Sequence, residues 1–333
     1  MSEENKTDPA VSLLSQLINP EALKQLIVEA ARRGDVKVTI PGDVVKKLLG
    51  DQSKLAAEMI AKDVSALALQ LAQKISRNIE IKVPDRKPVV LRSPHKQTQG
   101  LIRLLETLRP NMRNILLVGP AGSGKTTAAD QAAQALGFVE AYIQGQVITR
   151  YEFDGFVDAH GVYRPSLFRR FAESEGGVFL QDEIDSSEPA ALLALNAYLA
   201  NGRVTFPDGK TFKRTERHYV IAAANTFGSG SSRLYVGRNQ LDAATTDRYR
   251  TYIWEYDEEL EAQLVGNEEW HARVKSVRRA VDKIALRHTI TPRDAMRGAD
   301  EIAGGSTIAE QEIAQLKRGL TDADWAKVVA ASK

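Results

Sequence analysis

Residues 119–126 read Gly-Pro-Ala-Gly-Ser-Gly-Lys-Thr, and this stretch decides the fold. It fits the pattern G-x-x-x-x-G-K-[ST] and stands between a charge-free strand, 114–118, and an alanine-rich helix, 126–136. Glycines allow the backbone to curl so that several N–H groups point at one anion, and the start of the next helix favours negative charge. The stretch therefore predicts a phosphate-binding loop at the end of a sheet strand.

The polar residues of this loop have separate predicted roles. Lys125 is expected to bridge the β- and γ-phosphates of a nucleoside triphosphate, and Thr126 to place its hydroxyl on Mg²⁺. The predicted cofactors are ATP and Mg²⁺. The predicted nucleotide-binding residues are Gly119, Pro120, Ala121, Gly122, Ser123, Gly124, Lys125, Thr126 and Thr127.

An acidic pair ends a second apolar strand, since residues 178–183 read Val-Phe-Leu-Gln-Asp-Glu. Carboxylates at the carboxyl end of a sheet strand lie in the ligand crevice. We expect Asp182 to hold Mg²⁺ through water, and Glu183 to orient the attacking water and act as its base. An acidic pair after a strand often only begins a solvated loop, but the phosphate loop upstream favours hydrolysis. Asp185 and the two serines after it are predicted to cap the helix 188–200.

A third strand, 219–224, ends in Asn225 and Thr226. An asparagine at this edge of the sheet can reach the γ-phosphate or the attacking water. It can equally serve only to turn the chain. The residues alone leave both interpretations open.

The order of elements predicts an α/β fold with a parallel, doubly wound sheet, because strands alternate with the helices 99–108, 126–136 and 188–200. After Asp257 the pattern is helical throughout and predicts a small lid. The first 91 residues predict a mostly helical region with a long helix at 53–76 and a terminal hairpin over 79–91. The expected domains are an N-terminal region of 1–91, a P-loop core of 92–256 and a helical lid of 257–333.

The order of these motifs resembles that of AAA+ ATPases, and one run of residues resembles their MoxR branch. The similarity extends over about residues 95–304, and within the branch it is greatest to the ATPase subunit of aerobic cobaltochelatase. The residues that carry it are Asn225-Thr226-Phe227-Gly228-Ser229-Gly230, Leu234-Tyr235-Val236-Gly237, and Leu241 through Asp247-Arg248-Tyr249.

This resemblance implies roles for three more residues. Asn225 would be the sensor-1 residue, and Arg248 the arginine finger that reaches the γ-phosphate bound by a neighbouring subunit. Arg293, in Thr-Pro-Arg, would be the sensor-2 arginine of the lid. Tyr249 replaces the more usual Phe or Trp, and Arg250 follows it, so that the choice between Arg248 and Arg250 stays open. An arginine here could also pair with a surface carboxylate.

The resemblance also implies partners. An arginine finger that acts on a neighbouring subunit implies a homo-oligomeric ring, which in this family is a hexamer. The resemblance further implies that the ring remodels or loads a protein together with a von Willebrand A domain partner. Segment 203–213 resembles the pre-sensor-1 hairpin, and segment 153–165 the family's other insertion, facing the ring pore through Tyr163 and Arg164. Both could instead be ordinary surface hairpins. The N-terminal region is expected to dock a partner or tune the oligomer.

Composition narrows the class of protein. Net charge is +2, hydrophobic residues make up 43% and charged residues 26%, so bulk electrostatics do not favour nucleic acid as a partner. There are no cysteines, which suits a reducing compartment. Residues 1–10 lack the features of a signal peptide, and the longest apolar stretch, near 64–73, is too short to cross a bilayer. We expect a cytoplasmic protein with no membrane contact.

The sequence leaves three other functions open. Basic clusters at 82–96 and 164–170 favour a nucleic-acid motor or loader, against the near-neutral charge. A true chelatase subunit is the second, although the N-terminal region shows nothing of that chemistry. A nucleotide-regulated scaffold without turnover is the third, and the presence of Glu183 argues against it.

Overall fold

The computed structural model describes residues 77–84, 86–231 and 235–332. The helices predicted before Arg77, including the long helix at 53–76, and Leu234 of the quoted motif lie outside the described residues. From Glu80 onward the chain forms one compact unit.

The three predicted sheet strands are all present, and the same sheet contains two strands that the sequence did not predict, Tyr142–Gly145 and Arg250–Ile253. The strands are β1 Asn78–Ile81, β2 Val89–Arg92, β3 Asn114–Val118, β4 Tyr142–Gly145, β5 Phe156–Val157, β6 Tyr163–Arg164, β7 Gly177–Gln181, β8 Arg203–Thr205, β9 Thr211–Lys213, β10 His218–Ala224 and β11 Arg250–Ile253. The α-helices are α1 Thr98–Thr107, α2 Lys125–Ala135, α3 Arg150–Asp154, α4 Leu167–Glu173, α5 Pro189–Asn201, α6 Ala243–Asp247, α7 Glu258–Val265, α8 Glu268–Lys283, α9 Pro292–Ala303, α10 Ile308–Gln311 and α11 Asp322–Ala331.

Five strands form the central sheet in the order β11-β3-β10-β7-β4, and every neighbouring pair is parallel. All residues of β3, β7 and β10 are buried, as expected for strands covered on both faces. In register, Val220 of β10 pairs with Asn114 of β3 and with Phe179 of β7. The predicted parallel α/β fold is confirmed, and the carboxyl ends of β3, β7 and β10 meet at one edge.

An aromatic cluster holds the helices against this sheet. Phe168 of α4 packs edge-on against Phe179 of β7, with ring centroids 5.2 Å apart, and against Tyr198 of α5 at 5.1 Å. All three side chains are fully buried. Truncating one such ring in a core typically costs about 3–5 kcal/mol. The cluster therefore fixes the strand from which the acidic pair extends.

The helices after Asp257 have a core of their own, which confirms the predicted helical C-terminal part. Trp270 of α8 is fully buried, and its indole N–H donates to the carbonyl of Ala295 in α9 at 2.7 Å. The guanidinium of Arg278 pairs with Glu261 of α7 at 2.8 Å. These contacts join α7, α8 and α9 into one packed group.

Within the described residues, three pairs of short strands lie outside the central sheet. Strands β8 and β9 pair antiparallel within the predicted hairpin 203–213, and β5 pairs with β6 within segment 153–165. Strands β1 and β2 form a two-stranded sheet, as predicted for 79–91. Leu91 of β2 is buried, and the carbonyl of Arg92 accepts a hydrogen bond from Gln131 of α2 at 3.0 Å. Among the described helices, none is long and apolar enough to cross a membrane.

Candidate active site

The glycine-rich loop after β3 has a backbone that only glycine adopts readily. Gly122 has φ = 75° and Gly124 has φ = 86°, both in the left-handed region. The chain enters α2 directly from Gly124, so the loop's N–H groups and the helix N-terminus share one concavity. Such a concavity favours an anion.

Lys125 lies across this loop. Its Nζ donates to the carbonyls of Gly119 at 2.7 Å and Pro120 at 2.9 Å, and to the Oδ1 of Asn225 at 2.9 Å. Burial lowers the pKa of the amine to about 8, although the nearby carboxylates of Asp182 and Asp185 oppose the shift. The structure thus brings the predicted lysine and the predicted strand-end asparagine into contact.

Thr126 and Asp182 also meet, although they are 56 positions apart in the chain. The Thr126 hydroxyl donates to Oδ2 of Asp182 at 3.1 Å, and Gln144 of β4 donates to the same oxygen at 3.0 Å. A hydroxyl and a carboxylate are hard oxygen ligands of the kind that Mg²⁺ takes together with phosphate oxygens. Within 77–84, 86–231 and 235–332, no group of three or more His, Cys, Asp or Glu could hold a metal by itself. The site therefore fits an ion that shares its ligands with a nucleotide.

Glu183 follows Asp182 in an unusual backbone conformation. Its φ is 53°, a left-handed value that costs a non-glycine residue about 1–2 kcal/mol. Its carboxylate is 40% exposed and accepts from Gln146 at 3.2 Å and from Arg238 at 3.3 Å. The strained turn points this carboxylate out of the sheet edge while its backbone N–H stays on Asp182 Oδ1 at 3.0 Å.

The predicted capping role of Asp185 is wrong. Helix α5 begins at Pro189, with Glu188 at its N-cap and no side-chain cap. Asp185 is instead fully buried, and its Oδ2 accepts from the backbone N–H groups of Asn225 and Thr226, both at 3.1 Å, and from the Thr226 hydroxyl at 3.0 Å. A buried carboxylate requires such donors, and the end of the adjacent strand β10 supplies them.

Arg293, which lies in the C-terminal helices, is close to the phosphate loop. Arg293 lies in the first turn of α9, and a Cβ on Gly122 would stand 3.1 Å from the Cβ of Thr291, the N-cap of that helix. The charge of Arg293 also contributes to the lowered pKa of Lys125, which places the two cations close together. The arginine that the resemblance assigns to the lid thus lies beside the phosphate loop.

The other two predicted arginines lie elsewhere. Arg248 follows α6, and its guanidinium donates to the carbonyl of Ala244. Arg250 begins β11 and pairs in register with Ile115, near the start of β3, whereas the phosphate loop follows the end of β3. Neither arginine is brought to the phosphate loop of its own chain.

Three side chains that contact the acidic pair had no predicted role. Gln144 and Gln146 alternate along the chain at the end of β4, and Arg238 comes from the loop after β10. Alternating polar residues at the end of a fourth strand are the signal that could have revealed the glutamines. The only signal for Arg238 is its position after Leu-Tyr-x-Gly.

A phosphate loop at the carboxyl edge of a parallel sheet, with a lysine, a hydroxyl–carboxylate pair suited to Mg²⁺ and a partly exposed glutamate beside it, defines the class of P-loop nucleotide hydrolases. Residues 114–249 match the family of AAA domains, dynein-related subfamily. The match spans the segment that holds the phosphate loop, the acidic pair and Asn225, and an AAA domain of this kind implies ATP hydrolysis.

Solved structures of Hsp104 are also similar to the chain. They include a closed state with ATPγS and FITC casein, and the extended conformation of the S. cerevisiae Hsp104:casein complex. In each case identity is 18% and the TM-score is 0.42, and the match covers 71% of this chain and 45% of the Hsp104 chain. The chain thus spans less than half the length of those proteins. No curated protein matches it.

The lowered pKa of Lys125 predicts that ATP binding takes up a proton at alkaline pH. The amine of the ATP-free protein titrates at about pH 8, and contact with phosphates stabilises its protonated form. Affinity should therefore be full below pH 8 and fall as the pH rises past it, by up to roughly tenfold per pH unit. Calorimetry between pH 7 and pH 9, in buffers of different ionisation enthalpy, measures both the affinity and the proton.

The control for this measurement is Lys125→Arg, whose guanidinium stays charged throughout that range. Whatever affinity this variant retains should not change with pH. A wild-type affinity that is constant from pH 7 to pH 9, or an equal decline in the arginine variant, would contradict the expectation.

Proposed function

We propose that the chain is a Mg-ATP-dependent AAA+ ATPase of MoxR type, whose subunits act in a ring and which remodels or loads a partner protein. The observation that carries the ring is the position of Arg248. It lies beside the start of the sheet strands, at the far end from the chain's own phosphate loop, so it can serve a phosphate only in a neighbouring subunit.

The residues around the loop divide the chemistry of hydrolysis among them. Lys125 binds the β- and γ-phosphates after exchanging its carbonyl partners for phosphate oxygens. Thr126 and Asp182 hold Mg²⁺, which when bound supplies positive charge to the phosphate oxygens. Glu183 orients the attacking water and accepts its proton.

Two further groups complete the assignment. Asn225, held by the Lys125 amine at 2.9 Å, contacts the γ-phosphate or the water. Arg293 approaches the phosphates from the lid.

The contacts of the two insertion hairpins support the proposal that the chain acts on a partner protein. The guanidinium of Arg169 is 3% exposed, pairs with Asp208 of the β8–β9 turn at 3.0 and 3.1 Å, and stacks on Tyr163 of β6. Both hairpins are therefore anchored on one cation. Tyr163 is engaged there, while Phe156 and Val157 of β5 are about half exposed. We assign the contact with the threaded or loaded partner to this exposed apolar edge.

Two further parts of the proposal, a hexameric ring and a von Willebrand A domain partner, rest on the resemblance of the 225–249 run. A cytoplasmic location rests on composition, and a partner-docking or oligomer-tuning role for residues 1–91 rests on their lack of a phosphate-binding motif. The exposed arginine of β6 and the exposed apolar residues of β5 are compatible with contact to a protein partner.

The assignments of Lys125 and Glu183 predict different losses. Lys125→Ala should nearly abolish ATP binding, because the amine contacts phosphates in the ground state. Glu183→Gln should bind ATP normally and lose about 10²-fold or more in kcat, because it acts only on the water. Fluorescent-nucleotide binding and phosphate release measure the two effects. Wild-type turnover by Glu183→Gln would overturn its assignment as the base.

Action in trans predicts recovery of activity on mixing. Arg248→Ala should bind ATP and lose about 10³-fold in kcat, the usual contribution of an arginine finger. Adding inactive Lys125→Ala subunits should restore part of the turnover, because these subunits lend their arginine to intact pockets. Arg250→Ala is the matched control. Loss of activity in that variant alone would identify Arg250 as the arginine finger. No recovery in rings shown to be mixed would argue against action in trans.

A separable N-terminal region predicts an active shortened chain. A chain that begins at Arg77 keeps β1 and β2 and should remain soluble and hydrolyse ATP. It should fail to retain the partner that full-length Glu183→Gln captures in the ATP state, which affinity capture and mass spectrometry measure. An insoluble shortened chain, or one that ATP no longer stabilises against heat, would instead show that the first residues belong to the fold.

A further inference from the structure

Arg238 contacts the proposed base but has no part in the functions assigned above. It lies in the loop between β10 and α6, and its side chain is 14% exposed. One of its amino groups donates to Oε1 of Glu183 at 3.3 Å, and the other donates to Oδ1 of Asp185 at 3.1 Å. A single guanidinium therefore bridges two carboxylates, one of them catalytic.

The two ends of this bridge are not equivalent. Asp185 is fully buried, and its second oxygen is tied to the backbone N–H groups of Asn225 and Thr226. A fully buried carboxylate requires its charged partner, so Arg238 is anchored on Asp185. Glu183 is 40% exposed and is the partner that can move.

The bridge connects the base to the end of β10. Asn225, whose side chain contacts Lys125, donates its backbone N–H to Asp185, and Asp185 in turn holds Arg238 against Glu183. Beyond the direction that the left-handed backbone of Glu183 gives it, the carboxylate is held at both of its oxygens. Its orientation is set by the guanidinium on one oxygen and by Gln146 on the other.

We propose that Arg238 is a positioning residue for ATP hydrolysis, which, anchored on Asp185, fixes the carboxylate of Glu183 relative to the strand end that carries Asn225. The inference rests on the proposed role of Glu183 as the base. In that step the water oxygen bonds to the γ-phosphorus, the bond from that phosphorus to the β,γ-bridging oxygen breaks, and the proton of the water passes to Glu183. Arg238 takes no proton in this step and acts only through the carboxylate of Glu183.

The first test separates positioning from binding. Arg238→Met should lower kcat by about 10²-fold, the usual effect of misplacing a catalytic group by about 1 Å. The affinity for a fluorescent ATP analogue should stay within about threefold of wild type, because ground-state phosphate contacts are intact. Arg103→Met, an exposed arginine on α1, is the matched control and should leave both quantities unchanged. Wild-type kcat in Arg238→Met overturns the proposal, and so does a loss of affinity as large as the loss of kcat.

Arg238→Lys provides the conservative variant and keeps a cation beside the buried Asp185. One ammonium reaches Asp185 but cannot reproduce the fork that spans both carboxylates. We expect stability near that of wild type with a kcat between those of wild type and Arg238→Met. Should Arg238→Met not fold, a wild-type kcat in Arg238→Lys would by itself overturn the proposal.

A double-mutant cycle tests whether Arg238 acts through Glu183. In the Glu183→Gln background, adding Arg238→Met should leave the residual turnover unchanged, because the positioned group is already gone. A further loss of similar size to that in the wild type overturns the proposal. The failures are distinguishable: wild-type turnover by Glu183→Gln refutes the base, whereas an inactive Glu183→Gln with a fully active Arg238→Met refutes only the positioning role.

Discussion

The parallel register of β3, β10 and β7 is the constraint on which the rest of the structure depends. Because all three strands run in one direction and stay aligned, with Val220 opposite both Asn114 and Phe179, their carboxyl ends lie at one edge of the sheet. The phosphate loop, the acidic pair and the Asn-Thr turn follow from these ends. The Lys125–Asn225 and Thr126–Asp182 contacts, across 100 and 56 positions of sequence, are consequences of that alignment.

The electrostatics of the site are arranged for an incoming anion. Burial is the main cause of the lowered pKa of Lys125, the charge of Arg293 lowers it further, and the carboxylates of Asp182 and Asp185 only partly compensate. The Lys125 amine donates to the carbonyls of Gly119 and Pro120. Phosphate oxygens would replace weak neutral acceptors with charged ones, which is the physical basis for strong binding at a pre-formed loop.

Outside the sheet, one buried cation holds several structural elements together. Arg169 is almost fully buried, pairs with Asp208 in two hydrogen bonds and stacks on aromatic rings of both insertion hairpins. A guanidinium offers planar faces and forked donors at once, which an ammonium does not. The hairpins therefore hold a defined place next to α4, and the apolar residues of β5 are presented from a rigid base.

Local sequence determined most of the fold and part of the site. The phosphate loop, the strand bounds 114–118 and the hairpin 203–213 follow from turn chemistry and from apolar runs, both of which act over a few residues. The C-terminal helices follow from periodicity in the same way. Such features are readable because their causes lie next to them in the chain.

Tertiary structure alone decided what the buried charges do. Asp185 follows the acidic pair and precedes a helix, a sequence context in which a capping role is the ordinary expectation. It became the partner of Thr226 and Arg238 because β10, from far along the chain, lies beside β7. A carboxylate's partner depends on which strand is its neighbour, and strand order is a property of the packed sheet that no local pattern encodes.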